Sequence, residues 1–240
     1  NIGQAIANNG FAGPGEKGNQ QIATALACYR SLFDNAYVDQ RHCLLQWVHI
    51  HYVNKGRDGY LNALLQETPP LLTKTWSQPF IAESISYYQI LARFDIAHPS
   101  QPSDADWRNL IDDLTALRNT LSAATPTSRK DVQYQENLLA RIENKLGDSF
   151  AKIKTLTSAE KKLAVQHFDK SILLKEKLGD KEGLAYTYGA MARYYRDQQS
   201  DYQRAIELFE KDIVINKQIG GRKFEGKLLN DLGDSLYLEA

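Results

Sequence analysis

Apolar residues recur at helical spacing along most of this chain. In residues 20–33, for example, Ile22, Leu26, Tyr29 and Phe33 follow one another at three- and four-residue steps, which predicts an apolar stripe on a helix. Four further helices are predicted upstream of residue 125, over residues 38–53, 60–65, 80–96 and 103–121. No segment alternates with the period of a β-strand between turn residues, so the sequence predicts an all-α protein.

Helix boundaries are marked by turn and capping residues. Asn54-Lys55-Gly56, Pro69-Pro70 and His98-Pro99 end the second, third and fourth predicted helices. Ser103 is the predicted N-cap of the fifth, with acidic residues in the first turn. Residues 1–19 contain five of the fifteen glycines and no sustained period, and are predicted to form an irregular lead-in.

Proline and charge divide the chain into two regions. All seven prolines lie before residue 127, and residues 1–127 carry 20 charged side chains against 38 in residues 128–240. A proline-free, charge-dense region is typical of long amphipathic helices with solvated outer faces. We therefore predict a boundary near Thr125–Ser128, between a helical region at 20–126 and a second region at 128–240.

An internal repeat of 41 residues occupies the second region. Residues 164–172 align with residues 205–213 through Ala-x-x-x-Phe, and the pairs Leu178-Gly179 and Ile219-Gly220 then coincide. Upstream, residues 144–150 resemble residues 230–236 through a shared Asn-x-Leu-Gly-Asp-Ser. Such a repeat predicts helical hairpins in which a small residue at 147, 192 or 233 admits a neighbouring helix. Because one hairpin cannot bury its apolar face alone, the copies are expected to stack.

These residues resemble the tetratricopeptide repeat (TPR), in its longer variant of roughly 42 residues, over residues ~135–240. The first copy matches the pattern through Leu146-Gly147, Phe150, Ala164, Phe168 and Ser171. The second matches it through Tyr188, Met191-Ala192, Tyr195, Ala205 and Phe209. Asp212 departs from the small residue that the pattern expects. The resemblance implies a right-handed α-solenoid of antiparallel hairpins, with two full copies, the first helix of a third, and a diverged helical N-terminal region.

The family places one face of each first helix on the concave groove. That face would carry Arg141, Asn144 and Asp148 in the first copy, Tyr186, Gly189 and Arg193 in the second, and Lys227, Asn230 and Asp234 in the third. Relatives with the longer repeat often hold a peptide backbone with an Asn two residues before Leu-Gly. Asn144 and Asn230 match that position, and Gly189 does not. The resemblance therefore implies a peptide-binding groove. The equally weighted alternative is that these residues are exposed polar side chains that bind no ligand.

Charge and cysteine content restrict the remaining classes of function. Lys and Arg number 29, Asp and Glu number 29, and the pI is about 7.1, which argues against a dedicated binder of nucleic acid or anionic membrane. No apolar run of about 20 residues predicts a membrane span. Cys28 and Cys43 are too few for a disulfide framework, so we expect a reducing, cytoplasmic setting.

Motifs for catalysis or metal binding are weak. The segment Gly10–Gly18 lacks the Lys-Ser/Thr order of a phosphate-binding loop. His42, Cys43, His49 and His51 share a predicted helix, but His49 and His51 are two residues apart and face different directions. The tyrosine pairs and the tryptophans are predicted to be core, and the Lys/Glu-rich segment 158–182 a solvated face. We predict no catalytic residue, no metal and no cofactor.

The leading hypothesis is a non-enzymatic module that binds a peptide or protein segment in the groove, as a scaffold or sensor. The chain begins at Asn1 and stops inside a repeat, so we expect it to belong to a longer protein. One alternative is the regulatory arm of a multidomain signalling enzyme, such as an ATPase, protease or kinase, whose catalytic domain lies outside this chain. Another is an enzyme in residues 20–125, supported only by the histidine cluster.

Overall fold

A computed structural model describes residues 78–98, 101–220 and 225–239. These residues form seven α-helices and one π-helical turn, and they contain no β-strand, which confirms the all-α prediction for this part of the chain. The chain divides into two compact units, Asn1–Pro99 and Ser100–Ala240. The predicted lead-in and the helices predicted over residues 20–33, 38–53 and 60–65 lie outside the described residues, as do His42, Cys43 and their neighbours.

The described part of the first unit contains helix α1, Ile81–Ala97, within one residue of the predicted 80–96. The helix follows Phe80, whose φ of 68° places it in the left-handed region, and the Ser84 hydroxyl donates to the Phe80 carbonyl at 2.9 Å. Ile81, Ile85 and Ala92 are buried on one face of the helix, and Tyr87 and Ile90 are buried away from that face.

The described part of the second unit contains six α-helices. They are α2 (Asp104–Ala123), α3 (Arg129–Ala151), α4 (Ser158–Leu178), α5 (Lys181–Tyr194), α6 (Tyr202–Ile219) and α7 (Glu225–Glu239). The π-helical turn Tyr195–Gln199 extends α5. Within this unit each helix packs against the next, and α3 also contacts α5. The described helices include none that is both long and apolar enough to cross a membrane.

Side-chain caps begin five of these helices, because the first backbone N–H groups of a helix have no partner within it. The capping oxygens come from Ser103, Ser128, Thr157, Asp180 and Asp201. Ser103 forms a full capping box with Asp106, so the N-cap predicted for this helix is confirmed. Gly179 and Gly220 end α4 and α6 at φ values of 68° and 70°, which L-residues with side chains rarely adopt.

The hairpin α3–α4 has the close approach that the repeat predicts. A Cβ added at Gly147 on α3 would lie 2.9 Å from the ring of Phe168 on α4, and Phe168 and Phe209 are both fully buried. At Gly233 on α7, by contrast, an added Cβ would meet nothing within 4 Å. Within the described ranges, therefore, no side chain approaches Gly233 as Phe168 approaches Gly147.

Helix α2 is bound tightly to the repeat region. The Asp104 carboxylate accepts hydrogen bonds from the backbone N–H groups of Lys154 (2.9 Å) and Thr155 (3.0 Å), in the loop between α3 and α4. The Gln135 amide on α3 donates to the carbonyl oxygens of Leu121 (2.6 Å) and Ala124 (2.8 Å). The composition change near residues 125–128 thus falls in a short connection between two helices that pack together.

Candidate functional site

Helix α3 carries the three predicted groove residues of the first copy. Arg141 is exposed and donates to the Asn137 side-chain oxygen at 3.0 Å, while Asp148 is half-buried with an oxygen 3.7 Å from the Lys145 ammonium. Asn144 lies deeper than the sequence indicates, with only 7% of its surface exposed. Its Oδ1 is buried, and none of the described residues donates a hydrogen bond to it. A buried acceptor without a donor costs about 1–3 kcal/mol.

Helix α5 places Tyr186 and Arg193 close to Asp148. The Tyr186 side chain is 60% exposed, yet the surrounding protein raises the pKa of its hydroxyl by burial. The carboxylate of Asp148 raises this pKa further, and the guanidinium of Arg193 lowers it. The structure therefore brings together predicted residues from the first and second copies.

Gly189, the position without the expected Asn, is filled by a carboxylate from α6. A Cβ added at Gly189 would lie 2.5 Å from Oδ2 of Asp212, so the absence of a side chain makes room for Asp212. Asp212 is 6% exposed, and its Oδ1 accepts a hydrogen bond from the Asn216 amide at 2.5 Å. Burial raises the pKa of Asp212 to about 6, and the carboxylate of Asp231 adds to this rise. The guanidinium of Arg193 and the hydrogen bond from Asn216 lower the pKa and so oppose the rise.

An ionic network joins α5 and its π-helical turn to α7. Arg193 Nη1 lies 3.4 Å from one oxygen of Asp231, and Arg196 Nη1 lies 3.0 Å from the other. Asp231 is 9% exposed and Arg196 also pairs with Asp197 at 2.6 Å. Sequence reasoning did not select Asp212, Asp231 or Arg196. The sequence feature that could have identified this cluster is Asp212, which departs from the small residue that the repeat pattern expects.

The third copy presents its polar residues differently. Asn230 and Asp234 are both exposed on α7, whereas Asn144 at the equivalent position is buried. The side chain of Lys227 lies outside the described residues. Of the nine residues predicted on the groove face, the structure therefore brings Asp148 and Arg193 within electrostatic range of Tyr186.

Lys175 corrects the expectation that the charged segment 158–182 is wholly solvated. It is 4% exposed, and its ammonium donates to the Thr187 hydroxyl at 2.6 Å and to the Gly183 carbonyl at 3.0 Å. Burial lowers the pKa of Lys175 to about 8; Asp180 opposes this change, and Arg141 adds to it. Lys175 thus links α4 to α5.

Other buried ionisable groups in the second unit have a structural role. His167 Nδ1 lies 2.5 Å from Oε2 of Glu143, and the His167 ring stacks on Phe150 with centroids 5.8 Å apart. Both members of the pair are buried between α3 and α4. Within the described ranges no group of three or more His, Cys, Asp or Glu side chains could hold a metal ion.

Comparison with known proteins adds no assignment. The chain matches no protein-family model, and it matches no curated protein.

Proposed function

We propose that residues 129–239 form a TPR-like α-solenoid whose concave groove binds a peptide or protein segment. The observation that carries the proposal is the convergence of Asp148 on α3 and Arg193 on α5 on the exposed side chain of Tyr186. The 41-residue repeat and the contact of α3 with α5 support the stacked arrangement. The module would act as a scaffold or sensor and catalyse no reaction itself.

Asn144 supplies the contact to the ligand backbone in this proposal. An amide side chain carries both a donor and an acceptor, so it can pair with a peptide group irrespective of ligand sequence. The Oδ1 of Asn144 is buried without a donor in the described structure, and rotation toward a bound peptide would satisfy it. Relief of that penalty would favour the bound state.

The flanking charges would select the ligand side chains. Asp148 and Arg193 both act on the Tyr186 hydroxyl, so one short stretch of the proposed groove carries a carboxylate, a phenol and a guanidinium that also pairs with Asp231. Charged groups of this kind contribute more to specificity and association rate than to affinity.

The test is a selection of binders from a random peptide library displayed on phage, with the full 240-residue chain immobilised. Selected peptides are then titrated by fluorescence anisotropy against the chain, Tyr186→Ala and the double variant Asn144→Ala/Asn230→Ala. We expect the asparagine variant to weaken binding about fivefold or more, because a lost hydrogen bond to a buried polar group costs at least about 1 kcal/mol. Tyr186→Ala should weaken it as well, because the variant removes the side chain on which Asp148 and Arg193 converge.

Asn109→Ala is the matched control, since Asn109 is exposed on α2 and outside the groove. It should bind the selected peptides as the unmodified chain does. Failure to enrich any peptide, or equal binding by the folded groove variants, would overturn the proposal. Circular dichroism of each variant verifies the fold.

A further inference from the structure

A second candidate site lies away from the proposed groove, where α4, α5 and α6 meet. It is an open surface pocket of about 360 Å³. Its polar and aromatic lining comes chiefly from Lys161, Lys162, Tyr194, Tyr195, Gln199 and Arg204. None of the predicted groove residues lines it, so the two sites are independent.

The π-helical turn shapes the floor of this pocket. Residues Tyr195–Gln199 form the wider turn, which ends at Ser200 with a left-handed φ of 51°. In the first copy α3 continues as a regular α-helix to Ala151. Single π-turns inside α-helices occur frequently at functional sites, because they redirect side chains at some cost in backbone geometry.

Tyr194 and Gln199 are joined by a hydrogen bond in the floor of the pocket. The Tyr194 hydroxyl donates to the Lys161 carbonyl at 3.0 Å and accepts from the Gln199 amide at 2.8 Å. Burial raises the pKa of Tyr194 to about 12, so the hydroxyl remains protonated and adds no negative charge. The pocket floor is therefore aromatic, rigid and neutral.

The rim of the pocket carries an excess of positive charge. Among the described residues no carboxylate lies within ion-pair distance of the Lys161 or Lys162 ammonium. The carboxylate of the adjacent Glu160 is held by Arg108 at 3.0 Å. Arg204 lies 5.4 Å from the Tyr195 ring centroid, and Asp201 is its partner at 3.3 Å. Among the described residues, the three cations of the rim (Lys161, Lys162 and Arg204) therefore have between them a single carboxylate partner, that of Asp201.

We propose that this pocket binds a small organic anion in which an aromatic ring bears a phosphate group. The ring would rest against Val165 and Tyr195, and the phosphate would be held by Lys161, Lys162 and Arg204. Phosphate matches this rim because lysine and arginine form their strongest hydrogen bonds with anionic oxygens. Apolar contact with the floor supplies the selectivity for a ring over a free inorganic anion.

Phenyl phosphate is the probe that tests this proposal. It is titrated into the full chain at low ionic strength, with dissociation constants measured from NMR chemical-shift changes. We expect a dissociation constant of about 1 mM or tighter, and binding about tenfold weaker for inorganic phosphate and for phenol. The double variant Lys161→Met/Lys162→Met, which keeps the apolar stems, should weaken phenyl phosphate binding about tenfold or more.

Lys170→Met is the matched control, because Lys170 is an exposed lysine on the same helix outside the pocket. It should leave the affinity unchanged. Lys162→Met alone provides a second variant that removes an exposed side chain, should the double variant unfold. The proposal is overturned by no binding of phenyl phosphate, by equal binding of inorganic phosphate, or by affinity that the folded Lys162 variants retain.

Discussion

Asp212 occupies a repeat position at which Ser171 stands in the preceding copy. Ser171 donates to the Ala140 carbonyl at 2.8 Å, whereas the Asp212 carboxylate passes the open side of Gly189. The substitution of a carboxylate for a small hydroxyl is accommodated by the loss of the Asn side chain at residue 189. Two departures from the repeat pattern, 23 residues apart, thus compensate each other.

The buried Asp212 carboxylate should make stability depend on pH. Its pKa is about 6 in the folded chain against an ordinary 3.8. Ionisation of Asp212 therefore lowers the stability of the folded state as the pH rises from 3.8 to about 6, and the full cost is present above that pH. The cost is lost again as the pH falls toward 3.8. We expect Asp212→Asn to stabilise the chain by up to about 2 kcal/mol at pH 7.5, falling to about a third of that gain at pH 4.5.

The measurement is urea denaturation of the chain and the variant at both pH values. Asp113→Asn, which removes an exposed carboxylate on α2, is the control and should change stability little at either pH. A gain from Asp212→Asn that is the same at pH 7.5 and pH 4.5 would contradict the pKa argument.

At the scale of the helices, the same Leu-Gly pair stands in two different environments. Gly147 contacts the buried ring of Phe168, while Gly233 is open. The apolar neighbours differ in the same way, because Phe150 is 5% exposed and Leu236, at the equivalent position, is 51% exposed. Identical local sequences therefore have different energetic roles, according to whether a second helix packs on them.

Alanine substitution at these two glycines should have opposite effects. Gly147→Ala places a Cβ 2.9 Å from Phe168, and we expect it to destabilise the chain by about 1–3 kcal/mol despite the higher helix propensity of alanine. Gly233→Ala meets no neighbour and should be neutral or stabilise by up to about 1 kcal/mol. Thermal unfolding monitored by circular dichroism compares the two variants. A loss of stability in Gly233→Ala as large as in Gly147→Ala would refute the packing argument.

At the scale of the whole molecule, α2 belongs to the same compact unit as the repeat hairpins. It buries a leucine-rich face and holds the α3–α4 loop through Asp104. The Arg108 guanidinium adds a hydrogen bond to the Thr155 carbonyl at 3.0 Å. Removal of α2 would expose the apolar surface of α3 and release that loop.

A pair of fragments tests this organisation. We expect residues 100–240 to unfold cooperatively and residues 128–240 to unfold at a temperature lower by about 5 °C or more, because the second fragment lacks α2. Calorimetry of both fragments gives the comparison. Equal unfolding temperatures would instead place the domain boundary at residues 125–128, as the composition predicts.

The sequence alone determined the features that depend on near neighbours in the chain. Helical periodicity located α1 and α2 within two residues, and the Ser103 cap and the turns at Gly179 and Gly220 followed from local chemistry. Each of these depends on interactions within a few residues. The 41-residue repeat likewise predicted the close contact at Gly147 from self-similarity.

Only the tertiary structure decided which polar residues are buried. Lys175 lies in a segment of exposed charges and is buried because Gly183 and Thr187 on the next helix accept its hydrogen bonds. Asn144 and Asn230 share a repeat position, yet only Asn144 is covered. The pocket beside the π-helical turn likewise forms where three helices meet. Burial and charge pairing depend on the facing helix, and periodicity within one helix carries no information about that partner.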